Sequence, residues 1–280
     1  MVSIIIPCYN QGAYIQEAIN SVKAQTYTDW EIIIVNDGSN DAFTLQELRY
    51  LKETGLMVID TPNKGVSAAR NTAIKVAIGE FILPLDADDK IAPQYLEEAV
   101  KIMNEKAAVK LVYSDCEYFG IMSGLSPVPL FSVEGMLKEN LIFNSAIIRK
   151  STAIEVGGYD ESFLAGWEDW EFWLRCIKRK EEVYKIQSIC YFYRIKEISR
   201  NSMIKDERLE ICEQQIYKKH IDLFLKYFPK PISMFRNYDF FEVEFKKLEI
   251  YKNQLNQSYS YRLGNTILYP LKWLSRIIKK

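Results

Sequence analysis

Three clusters in this 280-residue chain bring together side chains that can do chemistry. Asp86-Ala87-Asp88-Asp89 follows the apolar run Phe81-Ile82-Leu83-Pro84-Leu85, so three carboxylates stand at a strand terminus. Carboxylates that close raise one another's cost of ionisation, and a hard divalent cation, Mn²⁺ or Mg²⁺, is the natural compensation. Helix capping ahead of Pro93 would use only one of them. Asn36-Asp37-Gly38-Ser39 closes another apolar run. There an acidic side chain can accept hydrogen bonds from a nucleoside while glycine turns the backbone, or the tetrapeptide forms an Asx turn. In Trp167-Glu168-Asp169-Trp170-Glu171-Phe172-Trp173 two adjacent carboxylates sit among indoles. A partly dry, aromatic-walled place suits a proton-accepting base, and the apolar indole faces suit a sugar ring. The same spacing describes an amphipathic helix with Trp170, Trp173 and Leu174 inside and the carboxylates near its positive N-terminus.

Composition removes other chemistries. His220 is the single histidine, so nucleophilic triads and histidine-ligated metals would have to be built around it, and its charged neighbours predict a solvated surface position. The five cysteines, Cys8, Cys116, Cys176, Cys190 and Cys212, form no C-x-x-C pair and read as reduced thiols of a cytosolic protein. With 36 basic and 37 acidic side chains the net charge is −1, which gives no global drive toward nucleic acid. No G-x-G-x-x-G follows a strand, which argues against a dinucleotide oxidoreductase. No apolar stretch is long enough to span a bilayer, and no signal-like segment opens the chain, so Met1 is expected to begin the fold itself.

These clusters need a frame. Val2 to Pro7 is a β-branched run, Ile15, Ala18, Ile19 and Val22 recur at helical spacing within 14–25, and Glu31 to Val35 supplies a second strand. The pattern continues with Met57-Val58-Ile59, a helix over 67–78, the strand 81–85 and a helix over 93–104. Such alternation predicts an α/β fold: a mainly parallel sheet with helices on both faces and ligands at the carboxyl ends of the strands. After Lys110 to Tyr113 the alternation loosens through a loop over 120–129 and an apolar run over 141–148, so the second half reads as mixed. Charged helical patterns and Pro229-Lys230-Pro231 place a boundary near residue 205.

Six segments, taken in order, resemble the family 2 glycosyltransferases, whose fold is the GT-A or nucleotide-diphospho-sugar transferase fold. They are Val2 to Asn10, Tyr14 to Tyr27 with its Ala-Gln-Thr-Tyr ending, Val35 to Ser39, Asn63 to Asn71, Asp86-Ala87-Asp88, and Gly157-Gly158-Tyr159-Asp160-Glu161 followed by Glu168-Asp169. The resemblance covers nearly all of the first 205 residues. It implies a catalytic domain over 1–205, with a nucleotide-sugar-binding half (1–110) and an acceptor-binding half (111–205), and a helical C-terminal region over 206–280.

The activity it implies is metal-dependent transfer of a sugar from a nucleoside diphosphate, a UDP-sugar by analogy, to an acceptor hydroxyl with inversion. By the same analogy Pro7, Tyr9, Asn10 and Asp37 hold base and ribose, Asn63, Gly65 and Arg70 lie against the nucleotide, and Asp86 and Ala87 meet ribose or metal-bound water. Asp88 holds the metal, with Asp89 a contender. Asp169 is expected to be the base and Glu168 its neighbour and understudy, while Gly158, Trp167 and Trp170 belong to the acceptor side. Two positions depart from the pattern. Asn36 replaces the first aspartate of an Asp-Asp-Gly-Ser motif, and Lys196 stands where many relatives carry a histidine that reaches the metal. Lys196 or Arg194 is therefore expected to neutralise diphosphate, on a loop that orders when donor binds.

Residues 1–204 carry 21 basic and 28 acidic side chains, and 205–280 carry 15 and 9, so the two parts are unlike in charge. Near the end Ile267, Leu271, Leu274 and Ile278 share a helical stripe, while Lys272, Arg276, Lys279 and Lys280 gather on another. This is the profile of a helix in a membrane interface, with docking onto the catalytic domain as the other reading. Similar tails in the family serve lipid-linked acceptors, which implies a cytoplasmic protein held at the inner membrane face and building a bacterial surface glycan. An aspartyl-nucleophile phosphatase, suggested by Asp86-x-Asp88, and a non-catalytic nucleotide or sugar binder are the competing expectations.

Overall fold

The computed structural model describes residues 1–164, 166–197 and 206–230, and the single positions 246, 247, 250, 253 and 257. The apolar runs become the inner strands. β1 (Val2–Cys8), α1 (Gly12–Lys23), β2 (Trp30–Asp37), α2 (Ala42–Glu53), β3 (Met57–Thr61), α3 (Val66–Val76) and β4 (Phe81–Pro84) alternate, all but α2 as expected. β1 pairs in parallel with both β2 and β4, and β2 with β3. β1, β2 and β4 are largely buried because α1 seals the sheet with Ile15, Ala18, Ile19 and Val22 and α3 with Ala69, Ala73 and Ile74, while the edge strand β3 buries only Val58. The parallel register sets Cys8 opposite Asn36 and Ile5 opposite Pro84, so the residues after β1, β2 and β4 emerge at one edge.

α2 was not foreseen. Only Thr44, Leu48 and Leu51 of its twelve residues are buried, too narrow a stripe to stand out, and Asp41 starts the helix by accepting from the Thr44 N–H at 2.8 Å.

The second half is mixed, as the loosening pattern predicted. It adds β5 (Lys90–Ile91), α4 (Tyr95–Glu105), β6 (Leu111–Gly120), β7 (Gly124–Ser126), α5 (Val133–Met136), β8 (Ile147–Arg149), α6 (Lys150–Glu155), α7 (Glu168–Cys176) and β9 (Val183–Ile195). The sheet runs β3-β2-β1-β4-β8-β6-β9-β5, with β7 against β6. β8 is antiparallel to β4 and β6, β5 to β9, and β6 and β9 run parallel. The β5–β9 pairing matters most, because it lays the end of β9 beside the turn that carries Asp86 to Asp89.

The chain divides into two compact units, Met1–Leu223 and Phe224–Lys280. The helix α8 (Asp206–Lys219) thus belongs to the first unit, beyond the boundary near 205 read from the sequence. His220 departs from the solvated surface position that its charged neighbours predict. It is buried, with Nε2 3.3 Å from Glu171 Oε1, because Lys219 and His220 both turn toward a carboxylate on α7. All five cysteines are buried thiols. The basic stripe over 263–280 lies outside the described residues, as does the loop beyond Glu197 up to residue 205. Among the described residues no helix is long and apolar enough to cross a membrane.

Candidate active site

A cavity of about 820 Å³ opens at the carboxyl edge of the sheet. Its walls include Pro7, Tyr9, Asp37, Asn63, Gly65 and Arg70 from the first half, and Asp86, Ala87 and Asp88 after β4. Trp167, Glu168 and Asp169 line it from the start of α7, and Arg194 and Lys196 from the end of β9. Donor-side and base-side candidates, distant in sequence, therefore share one space.

The turn after β2 is fixed by its own hydrogen bonds. Asn36 Oδ1 accepts from the Ser39 N–H at 2.9 Å, which realises the Asx turn, and Gly38 at φ 67° leaves no room for a side chain, since a Cβ there would stand 2.5 Å from Asn63 N. Asp37 accepts from the N–H groups of Lys64 and Gly65, at 2.9 Å each, and so pins the loop that starts α3. Each oxygen keeps lone-pair capacity for a ligand.

Arg70 and Glu168 meet on the cavity wall as an ion pair. The Arg70 guanidinium is buried, with Nη2 2.7 Å from Asp86 Oδ1 and Nη1 2.9 Å from Glu168 Oε1. Burial works against its charge, but the Asp86 and Glu168 carboxylates outweigh that and raise its pKa. Glu168 is engaged as the counter-ion of Arg70. Asp169 is half-buried, with Oδ2 accepting from Asn140 Nδ2 at 3.1 Å and Oδ1 from the Trp170 N–H at 2.8 Å. Trp167 adopts φ 61°, a left-handed conformation rare for a bulky residue, at the start of α7.

The carboxylate cluster is compensated from within the chain. Asp86 meets Arg70 and also Asn144 Nδ2 at 3.2 Å, and Asp88 Oδ2 meets Lys196 Nζ at 2.5 Å. Asp89 is buried and turned away from the cavity, accepting from the Tyr191 hydroxyl and from the Arg194 N–H at 2.8 Å. Burial and the neighbouring charges of Asp88 and Asp86 push its pKa well up. Asp89 thus organises the β4–β9 corner and leaves Asp86 and Asp88 to face a ligand. Among the described residues no three His, Cys, Asp or Glu side chains gather on one point. The donor set at the cavity is two aspartates, which fits a hard cation whose remaining ligands are phosphate oxygens and water.

Three other expectations move. Asn10 does not line the cavity: its Oδ1 accepts from the Asn40 N–H at 2.9 Å and its Nδ2 donates to Asn40 Oδ1 at 2.8 Å, tying two loops together. Gly158, at φ 77°, lies against Asn71, whose amide brackets the backbone of Tyr159. Trp170 is core, donating through Nε1 to the Met136 carbonyl at 2.6 Å. Sequence reasoning missed Gln11, Ser67, Asn140, Asn144, Phe143 and Tyr193 on the cavity wall. The Ser67 hydroxyl is buried there with no partner among the described residues.

A cavity at the carboxyl edge of a parallel half-sheet is where open α/β folds bind their ligands. The model for Glycosyl transferase family 2 matches residues 3–152, and a second, Glycosyltransferase like family 2, matches 130–240. The chain belongs to glycosyltransferase family 2, which sets aside the phosphatase alternative. It is 30% identical over 210 residues to the Escherichia coli UDP-Glc:alpha-D-GlcNAc-diphosphoundecaprenol beta-1,3-glucosyltransferase WfgD, a match that covers 72% of this chain and 80% of that protein. Two solved structures share the fold. The S. aureus TarS fragment with UDP-GlcNAc has TM-score 0.63 and 21% identity, covering 81% of this chain and 73% of that one. The Pyrobaculum calidifontis mannosyltransferase PcManGT with GDP-Man and Mn²⁺ has TM-score 0.59 and 18% identity, covering 95% and 83%.

Proposed function

We propose that this glycosyltransferase moves a sugar from a UDP-sugar to an acceptor hydroxyl by one metal-assisted in-line displacement with inversion, in the synthesis of a bacterial cell-surface or lipid-linked glycan. The observation that carries this reading is that Asp88 and Asp169 line one cavity. Tyr9, which is 43% exposed, Pro7, Asp37 and Asn63 offer the surface for base and ribose. Asp86 and Asp88 would hold the divalent cation, which when bound stabilises charge on the departing diphosphate. Arg194 and Lys196 stand on the same side and add positive charge there.

Across the sugar, Asp169 takes the proton of the acceptor hydroxyl as its oxygen bonds to the anomeric carbon. The bond from that carbon to the diphosphate oxygen breaks in the same step, and its electron pair leaves with the diphosphate. No enzyme nucleophile takes part, so a base and a stabilised leaving group suffice. Trp167 offers an indole face beside the base for a sugar ring.

The name of the E. coli relative, with its UDP-glucose donor and undecaprenol-linked acceptor, supports the donor and acceptor classes. The Mn²⁺ in the PcManGT complex supports the cation. The basic amphipathic stripe over 263–280 supports a peripheral place on the inner face of the cytoplasmic membrane. A panel of nucleotide sugars, each with and without Mn²⁺, should raise the melting temperature for a UDP-sugar chiefly when metal is present. Stabilisation by no nucleotide sugar would reject the reading.

A further inference from the structure

Asp88 meets a cation supplied by the chain itself. Lys196 Nζ stands 2.5 Å from Asp88 Oδ2, and both side chains are less than one-fifth exposed, at 16% and 18%. The ammonium has two more supports: Gln11 Oε1 at 3.2 Å and the Tyr14 ring, whose centroid is 5.1 Å away. Its backbone is aimed there by β9, because Lys90 pairs with Phe192 and Ile91 with Tyr191. Arg194 fastens the same corner, with Nε 2.8 Å from the Asp88 carbonyl and its N–H on Asp89. The other two carboxylates of the cluster are occupied by Arg70 and by Tyr191, so Asp88 is the one that Lys196 neutralises.

We infer that Lys196 is the resident counter-ion of Asp88, and that a divalent cation gains Asp88 by exchange, the ammonium passing to the diphosphate oxygens of the arriving nucleotide. The inference rests on the proposed transfer reading and adds an order to it. An ammonium and a divalent ion repel one another across a single carboxylate, so the nucleotide-free protein holds the metal weakly. A diphosphate gives Lys196 a new partner and the cation further oxygen ligands, so each strengthens binding of the other. The site is thereby kept closed to free metal until donor is present.

The test is a Mn²⁺ titration of the full chain, with free Mn²⁺ read by electron paramagnetic resonance, with and without uridine diphosphate. The proteins are wild type, Lys196→Gln and the charge-retaining Lys196→Arg, each checked by its thermal melt. Without nucleotide, Lys196→Gln should bind Mn²⁺ about tenfold more tightly than wild type, and Lys196→Arg should resemble wild type. Uridine diphosphate should tighten Mn²⁺ binding more in wild type than in Lys196→Gln. Equal Mn²⁺ affinity for wild type and Lys196→Gln in the absence of nucleotide would overturn the exchange, as would Mn²⁺ binding to none of the proteins. Binding of uridine diphosphate, followed separately by calorimetry, tells the two failures apart. If the nucleotide binds and Lys196 has no effect on Mn²⁺, the exchange alone falls; if no protein binds the nucleotide, the transfer reading falls with it.

Discussion

Arg70 and Glu168 lie 98 positions apart in the chain, yet Nη1 of one is 2.9 Å from Oε1 of the other, and both side chains are buried. Through Nη2 the same guanidinium holds Asp86. One planar fork therefore joins the strand end that carries Asp86 and Asp88 to the helix that carries Asp169, and its rigid geometry fixes their separation.

Breaking that fork should be costly. Arg70→Met leaves Glu168 buried without its counter-ion, which costs about 3 to 5 kcal/mol. Arg70→Lys keeps the charge but loses the two-pronged reach, and should cost less. Urea unfolding of the two variants checks the order, and equal stability of Arg70→Met and wild type would reject the role.

Gly158 is expected to tolerate no side chain. A Cβ would stand 2.4 Å from Asn71 Oδ1, at a φ of 77° that L-residues rarely adopt. Gly158→Ala should lose about 1 to 3 kcal/mol of stability, seen as a lower melting temperature. Its effect should fall on stability, because Gly158 does not line the cavity.

Glu171 makes stability sensitive to acid. Burial would raise its pKa, but hydrogen bonds from His220, Arg175 and Lys219 outweigh that and bring it from 4.5 down to about 2. A carboxyl depressed on folding stabilises fully above its unfolded value and loses that contribution as pH falls toward the folded one. The loss should therefore run from about pH 4.5 to about pH 2 and amount to on the order of 3 kcal/mol. Denaturant unfolding across that window should show the fall in wild type and a shallower one in Glu171→Gln.

Much of the frame was legible because buried parallel strands leave unbroken apolar runs, as in Ile4 to Ile6 and Ile32 to Val35. Ordered motifs located the part of the cavity wall that runs from Pro7 to Asp88, since loops at strand ends hold their functional residues close together in sequence. What stayed hidden depends on long-range contacts. The Arg70–Glu168 pair links distant segments, and Asn140 comes from an irregular stretch without periodicity. His220 looked solvated among lysines, yet the turn after α8 brings it onto Glu171, a partner that local charge pattern does not reveal. The need for a counter-charge at Asp86 to Asp89 was readable, but not that Arg70, Lys196 and Tyr191 would each meet one of the three carboxylates.

Removing residues 263–280 should release the protein from vesicles of anionic lipid in a sedimentation assay, because the basic stripe supplies the electrostatic attraction. Unchanged sedimentation would reject a membrane role for that segment.

The central claim is that Asp169 accepts the acceptor's proton opposite a leaving group held beside Asp88. Asp169→Asn keeps the size of the side chain and removes its basicity, so donor affinity measured by calorimetry should stay within about twofold while the transfer rate falls by a factor of about 10² to 10⁴. Undiminished turnover of labelled sugar from a UDP donor by Asp169→Asn would contradict it.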